Sequence, residues 1–261
     1  MVLILVRHAE RLDYLEKLEW VNVAERPWDT PLSPKGHQQA DAAGNAIQEL
    51  LEKLGYGNKI HRMYSSPLLR CVETCRGIAK GRYDSKVRVD NRLVEHICDY
   101  WYRSWAMQGV SDSTWGLKLE EIPDVTKVEL RSEAKLPAVE LLRSPEELSL
   151  MFGNIDLEHQ GTYFPAYTVF EPESDSLAER IGEFAKLCHK MHPEENVVLV
   201  SHGGPTNAMY RHLTGEKPSR VGFSSISIVV EEKGKFIPKV TNYVDHLNQG
   251  DDLGFAATHL N

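Results

Sequence analysis

From Val2 to Val6 the chain is apolar without interruption and then turns abruptly to Arg7 and His8. A run with no polar alternate reads as a strand covered on both faces, as central parallel strands are. The next stretch, Ala9 to Leu32, mixes polar and aromatic positions around Pro27 and Pro31 with no helical period. It predicts a loop, held down by Trp20 and Trp28. Ser33 and Pro34 then supply an N-cap and a first helical residue. Ala40, Ala43, Ile47, Leu50 and Leu54 follow at spacings of three and four, which gives a helix one buried face before Gly55 closes it.

A short strand over Arg62 to Ser65 leads to Ser66 as cap and Pro67 as opener of a second helix, with Leu68, Val72, Cys75 and Ala79 as its stripe and Gly81 as its end. Val87 to Val89 reads as a third strand. From Cys98 to Pro145 the pattern is irregular and charged, with Trp101, Trp105 and Trp115. Lacking two apolar faces, this stretch reads as an insertion over the core, about 98–145, and not as a second domain. Helical spacing returns at Leu177, Ile181, Phe184, Cys188 and Met191. Val197 to Val200 is another short apolar strand, ending at Ser201 and His202, and a helix follows Gly203-Gly204-Pro205 to about Leu213. Ser225 to Glu231 and Phe236 to Tyr243 pair around a turn at Lys233 and Gly234. This alternation predicts an α/β fold: a three-layer sandwich with a mostly parallel central sheet, helices on both faces, and a single domain over 1–261. Ligands of such sheets sit beyond the carboxyl ends of the strands. Two apolar strands here end in a histidine, His8 and His202.

Composition narrows the partners. Of 261 residues, 41% are hydrophobic and 26% charged, enough for a sizeable core. Lys and Arg number 30 against 38 Asp and Glu, a net charge of -8, so neither nucleic acid nor an anionic membrane is an expected partner. The apolar start is too short for a spanning helix or a signal core, and the expectation is a cytoplasmic protein. Cys71, Cys75, Cys98 and Cys188 form no paired motif and read as reduced thiols. His189 and His192, beside Glu194 and Glu195, read as a solvated helix terminus. No nucleotide-phosphate loop, dinucleotide fingerprint, zinc-protease motif, serine elbow or EF-hand loop is present, and no metal or other cofactor is expected.

The remaining chemistry is basic. An imidazole at a strand end beside Arg7, with Arg11 nearby, suits attack on a phosphoryl group, because guanidinium forks match phosphate oxygens and balance their charge. Arg70, in the first turn of its helix, would be a second phosphate clamp. His202, followed by glycines that let backbone approach a ligand, is a second imidazole able to bind phosphoryl oxygens. Glu95 follows the third strand and could protonate a leaving oxygen if its surroundings raise its pKa.

Together, Leu5-Val6-Arg7-His8-Ala9-Glu10-Arg11, the segment Leu32 to Ala40, Ser65-Ser66-Pro67-Leu68-Leu69-Arg70-Cys71-Val72-Glu73-Thr74, Glu95 and Val200-Ser201-His202-Gly203-Gly204 resemble the histidine phosphatase (phosphoglycerate mutase-like) superfamily, in the family's order. Arg11, Asn154-Ile155-Asp156, Phe164-Pro165 and Glu173-Ser174 with Arg180 are similar to a narrower subgroup: the phosphatase domain of the suppressor of T-cell receptor signalling proteins and the ecdysteroid-phosphate phosphatases. The resemblance implies that His8 accepts the phosphoryl group, that Arg7, Arg70 and His202 hold its oxygens with Arg11 as an additional contact, and that Glu95 is the general acid and base. No metal is implied. The implied substrate is a phosphate monoester, small-molecule or phosphoprotein, and a homodimer is possible. Two other functions stay open: a phosphoglycerate-type mutase, and a weakly catalytic member used for protein interaction. Tyr100, Trp101, Tyr102 and Trp105, close after Glu95, either wall a large leaving group or pack the insertion on the core.

Overall fold

The computed structural model describes residues 1–16, 20, 24, 26, 29–83, 86–96, 142–161, 174–217 and 220–248. In chain order these contain β1 (Val2–Arg7), α1 (Pro34–Lys53), β2 (Arg62–Ser65), α2 (Leu69–Ala79), β3 (Arg88–Val89), a 3-10 turn (Asn91–Leu93), α3 (Pro145–Phe152), α4 (Ser174–Met191), β4 (Asn196–Ser201), α5 (Gly203–Thr214), β5 (Ile226–Glu232) and β6 (Lys235–Tyr243). Residues 98–141 of the expected insertion lie outside the described residues, as do Trp28, the aromatics from Tyr100 to Trp115, Phe164-Pro165 and Glu173. Among the described residues no helix is long and apolar enough to cross a membrane.

The strands form one sheet in the order β3-β2-β4-β1-β5-β6. β3, β2, β4 and β1 pair in parallel, while β5 and β6 close the other side antiparallel. The apolar run of β1 is buried on both faces for the reason its pattern gives. Val2, Ile4 and Val6 pack under α1 and α2 with Ala43, Ile47, Val72 and Ile78. Leu3 and Leu5 point the opposite way, into Ile181, Phe184 and Cys188 of α4 and Met209 and Tyr210 of α5. A three-layer α/β sandwich results.

Local signals explain most boundaries. The Ser33 hydroxyl accepts from the Gly36 amide at 2.9 Å, with Pro34 opening α1. Lys233 and Gly234 both have positive φ, the geometry of a tight two-residue hairpin between β5 and β6. α1 and α2 approach so closely that a Cβ on Gly77 would lie 2.5 Å from the Ala40 methyl.

Several expectations need correcting. Leu51, and not Leu50, is the fully buried leucine on α1. Met191, the last residue of α4, ends its stripe but is 45% exposed. His192 is no solvated terminus. Its Nε2 meets the Tyr64 hydroxyl at 2.9 Å, and its Nδ1 lies 2.7 Å from Glu195. Finally, α2 starts at Leu69, two residues later than Pro67, and no side chain of its own N-cap, Leu68, binds its amides.

Candidate active site

Parallel pairing puts the ends of β1, β4 and β2 at one edge of the sheet. Arg7 is opposite Ser201 in register, so His8 and His202 leave their strands side by side. The His8 amide extends the ladder by donating to the Ser201 carbonyl at 2.9 Å. The two rings lie 5.3 Å apart, edge to face at 65°.

Each imidazole is buried, and its partners dictate its protonation. His8 Nδ1 is 2.7 Å from the Ala9 carbonyl oxygen, which can only accept, so Nδ1 carries the hydrogen and Nε2 keeps its lone pair. His202 is the reverse. Arg70 Nε, which can only donate, lies 3.2 Å from His202 Nδ1, so the hydrogen of the neutral ring is on Nε2 and goes to the Ser66 hydroxyl at 2.8 Å. Burial, then Arg70, Arg7, His202 and Arg11, hold His8 well below the usual imidazole range. His202 is lowered in the same way by burial and then by Arg70, Arg11, Arg7 and Arg180. With His202 neutral, its 3.9 Å approach to Glu95 is a contact across the pocket and not an ion pair.

The guanidinium groups converge from three elements. Arg7, at the end of β1, donates to the Val221 carbonyl at 2.7 Å and stacks 4.2 Å over Phe223. Burial lowers its pKa to about 10, so it remains a cation at neutral pH. Arg11 is buried against Asp13 at 3.0 Å. Arg70 is 2% exposed. His202 is the N-cap residue of α5, whose first turn, Gly203 and Gly204, passes so near that a Cβ at Gly203 would be 3.4 Å from Arg7 Nε and one at Gly204 3.4 Å from Glu95 Oε1. A helix start beside three guanidinium groups favours an anion. Glu95 reaches the same edge through the 3-10 turn that follows β3, so all six residues singled out in the sequence, Arg7, His8, Arg11, Arg70, Glu95 and His202, come to one end of the sheet.

Other residues hold this constellation and were not singled out. The cap of α2 is Asp29, from the loop after β1, whose carboxylate accepts from the Leu69 amide at 2.7 Å and from Arg143 at 2.9 Å. Ser66, the cap expected from sequence, is instead committed to His202. The Thr74 hydroxyl accepts from the Ala9 amide at 3.0 Å and donates to the Arg70 carbonyl at 2.7 Å, tying the His8 turn to the Arg70 helix. Gln39 accepts from the Glu10 amide, and Glu73 from the Leu32 amide. Thr74 and Glu73 stood in the quoted motif, but their partners are 65 and 41 residues away. Phe223 carried no signal at all. Among the described residues, no three His, Cys, Asp or Glu are placed to hold a metal ion.

Two buried imidazoles ringed by guanidinium groups at the carboxyl edge of an α/β sheet suit a small dianion, and the class of protein they define is a phosphoryl-transfer enzyme. The chain belongs to the histidine phosphatase superfamily (branch 1), whose family model matches residues 3–109 and 154–242. Transfer through a phosphohistidine is general for that family. The fold is similar to that of ecdysone phosphate phosphatase from Bombix mori in complex with tungstate, with a TM-score of 0.65, 17% identity and 96% of each chain covered. It is also similar to a phosphoserine phosphatase mutant from Entamoeba histolytica in complex with phosphoserine (TM-score 0.54, 18% identity, 95% of this chain and 99% of that one). A third likeness is to a mycobacterial glucosyl-3-phosphoglycerate phosphatase (TM-score 0.53, 20% identity, 93% and 99% covered). At these identities the likeness is one of fold. The enzyme class expected from the sequence, a phosphatase, is that of the family and of these neighbours. No curated protein sequence matches the chain.

Proposed function

We propose that the protein is a metal-independent phosphomonoesterase that works through a phosphohistidine on His8. The observation that carries this reading is the tautomer of His8. Its Nδ1 hydrogen is fixed on the Ala9 carbonyl, which leaves Nε2 as an unprotonated nitrogen in a pocket of cations.

Nε2 attacks the phosphorus of a bound monoester while the ester P–O bond breaks. Arg7, Arg11, Arg70 and His202 balance the charge on the oxygens that do not react, which is the main catalytic demand of phosphoryl transfer. Glu95 gives its proton to the leaving oxygen, releasing an alcohol or phenol. The resulting carboxylate then takes a proton from water as that water attacks the phosphohistidine, the P–N bond breaks, and inorganic phosphate leaves with His8 restored. The substrate is a phosphate monoester of a small molecule or a phosphoprotein. The acidic chain, with a net charge of -8 and Arg7, Arg11 and Arg70 gathered at the site, disfavours polyanions.

Phosphate release from p-nitrophenyl phosphate by chelator-treated enzyme tests the reading. Activity that persists with chelator in the wild type and falls at least about a thousandfold in His8→Ala supports it. Loss with chelator, or a fully active His8→Ala variant, overturns it.

A further inference from the structure

Glu95 lies beyond regular structure. The 3-10 turn ends at Leu93, Val94 is extended, and residues 94–96 join no strand. Backbone groups in such a segment have no ladder to hold them, so their partners decide where the carboxylate sits. The carboxylate itself accepts from the neighbouring His96 amide at 2.9 Å, a contact that moves with the bend, and the Val94 amide donates to the Asn91 carbonyl at 3.2 Å. The carbonyls of the bend are tied to the rest of the fold by two side chains. The Ser201 hydroxyl, one residue before His202, donates to the Leu93 carbonyl at 2.6 Å. Arg180, from the first half of α4, donates from one terminal nitrogen to the Arg92 and Val94 carbonyls at 2.8 and 3.2 Å, and from the other to the Glu95 carbonyl at 3.4 Å. One guanidinium thus spans both sides of the bend that presents Glu95.

The same cation is felt inside the site, where it is one of the four arginines that hold His202 neutral. Both of its terminal nitrogens are engaged with main-chain oxygens of the bend, those of Arg92, Val94 and Glu95. A planar fork with several donors suits this task, and a single ammonium could serve only part of it.

We infer that Arg180 is the positioning residue for Glu95: by bridging the carbonyls of Arg92, Val94 and Glu95 it holds the acid at the leaving-group side of the pocket. This rests on the reading of Glu95 as general acid. Loss of position should therefore matter where protonation of the leaving group matters. Alkyl phosphates, which leave as alkoxides, need the proton. p-Nitrophenyl phosphate leaves as a stabilised phenolate and needs it far less.

The test measures kcat/KM of wild type, Glu95→Gln, Arg180→Ala, Arg180→Lys and the double variant Glu95→Gln/Arg180→Ala on an alkyl phosphate and on p-nitrophenyl phosphate. Arg180→Ala is expected to lose about 10- to 100-fold on the alkyl ester and about threefold or less on the aryl ester, with Arg180→Lys recovering part of the loss. In the Glu95→Gln background, removing Arg180 should add less than about threefold, because two residues acting through one proton transfer are not additive. Equal losses on both esters, or losses that multiply in the double variant, would overturn the inference and assign Arg180 a general structural role. If Glu95→Gln itself loses equally on both esters, it is the reading of Glu95 that fails. Tungstate affinity, expected within about threefold of wild type in Arg180→Ala, separates misplacement of the acid from collapse of the anion site.

Discussion

The rings of His8 and His202 face each other at 5.3 Å with opposite tautomers: a carbonyl takes the Nδ1 hydrogen of one, and a guanidinium faces the Nδ1 lone pair of the other. Long-range proton–nitrogen correlation on the free enzyme near neutral pH should show an unprotonated Nε2 for His8 and an unprotonated Nδ1 for His202. Matching tautomers, or a doubly protonated ring in either residue, would contradict the site as described.

Burial of two neutral imidazoles has a consequence for stability. Both are held well below the usual imidazole range in the folded protein. The unfolded chain takes up these protons as pH falls below about 6.5, and the folded protein resists them, so their contribution is present above that value and is lost on acidification. Each group adds up to about 1.4 kcal/mol per pH unit to the slope. Urea unfolding at about pH 7.5 and about pH 5.5 should show this loss, and His202→Gln should make the slope shallower. An unchanged slope would mean that His202 is protonated in the folded state.

Asp29 caps α2 from outside and pairs with Arg143, so Asp29→Ala removes an N-cap and leaves a half-buried guanidinium unpaired. A loss of about 3 kcal/mol is expected in chemical denaturation, with weaker tungstate binding because the cap holds the turn that carries Arg70. Ser66→Ala should leave the helix intact. It strips the acceptor from His202 Nε2 and should lower tungstate affinity about tenfold. If Ser66→Ala costs more helix stability than Asp29→Ala, the assignment of the cap is reversed.

Gly77 is set by the crossing of α1 and α2. Gly77→Ala would press a methyl on Ala40 at a distance no carbon pair adopts, so the helices must part, at about 1–3 kcal/mol. Alanine in place of glycine within a helix is otherwise favourable by up to about 1 kcal/mol, so a stabilised variant would show that the two helices separate freely.

The legible part of this protein is what one strand or one helix can express alone. The double-faced burial of β1, the stripe from Ala40 to Ile47 and the cap at Ser33 each depend on near neighbours, and two strand ends in histidine marked the edge where the site lies. Features that depend on distant partners were not legible. Ser66 looks like a cap until His202, 136 residues later, claims its hydroxyl. His192 looks solvated until Tyr64 is placed above it. One omission had a visible signal: Ser144-Pro145-Glu146-Glu147 is a capping box that opens α3, and both of its hydrogen bonds form.

The central claim is that His8 Nε2 carries the phosphoryl group during turnover. Enzyme mixed with a radiolabelled phosphate monoester and quenched in base within one turnover, then mapped by mass spectrometry, tests it most directly. Label is expected on the His8 peptide in an acid-labile, base-stable linkage, and is expected to be absent from His8→Ala. Label on another residue, or full turnover with no covalent intermediate at any time point, would contradict the account.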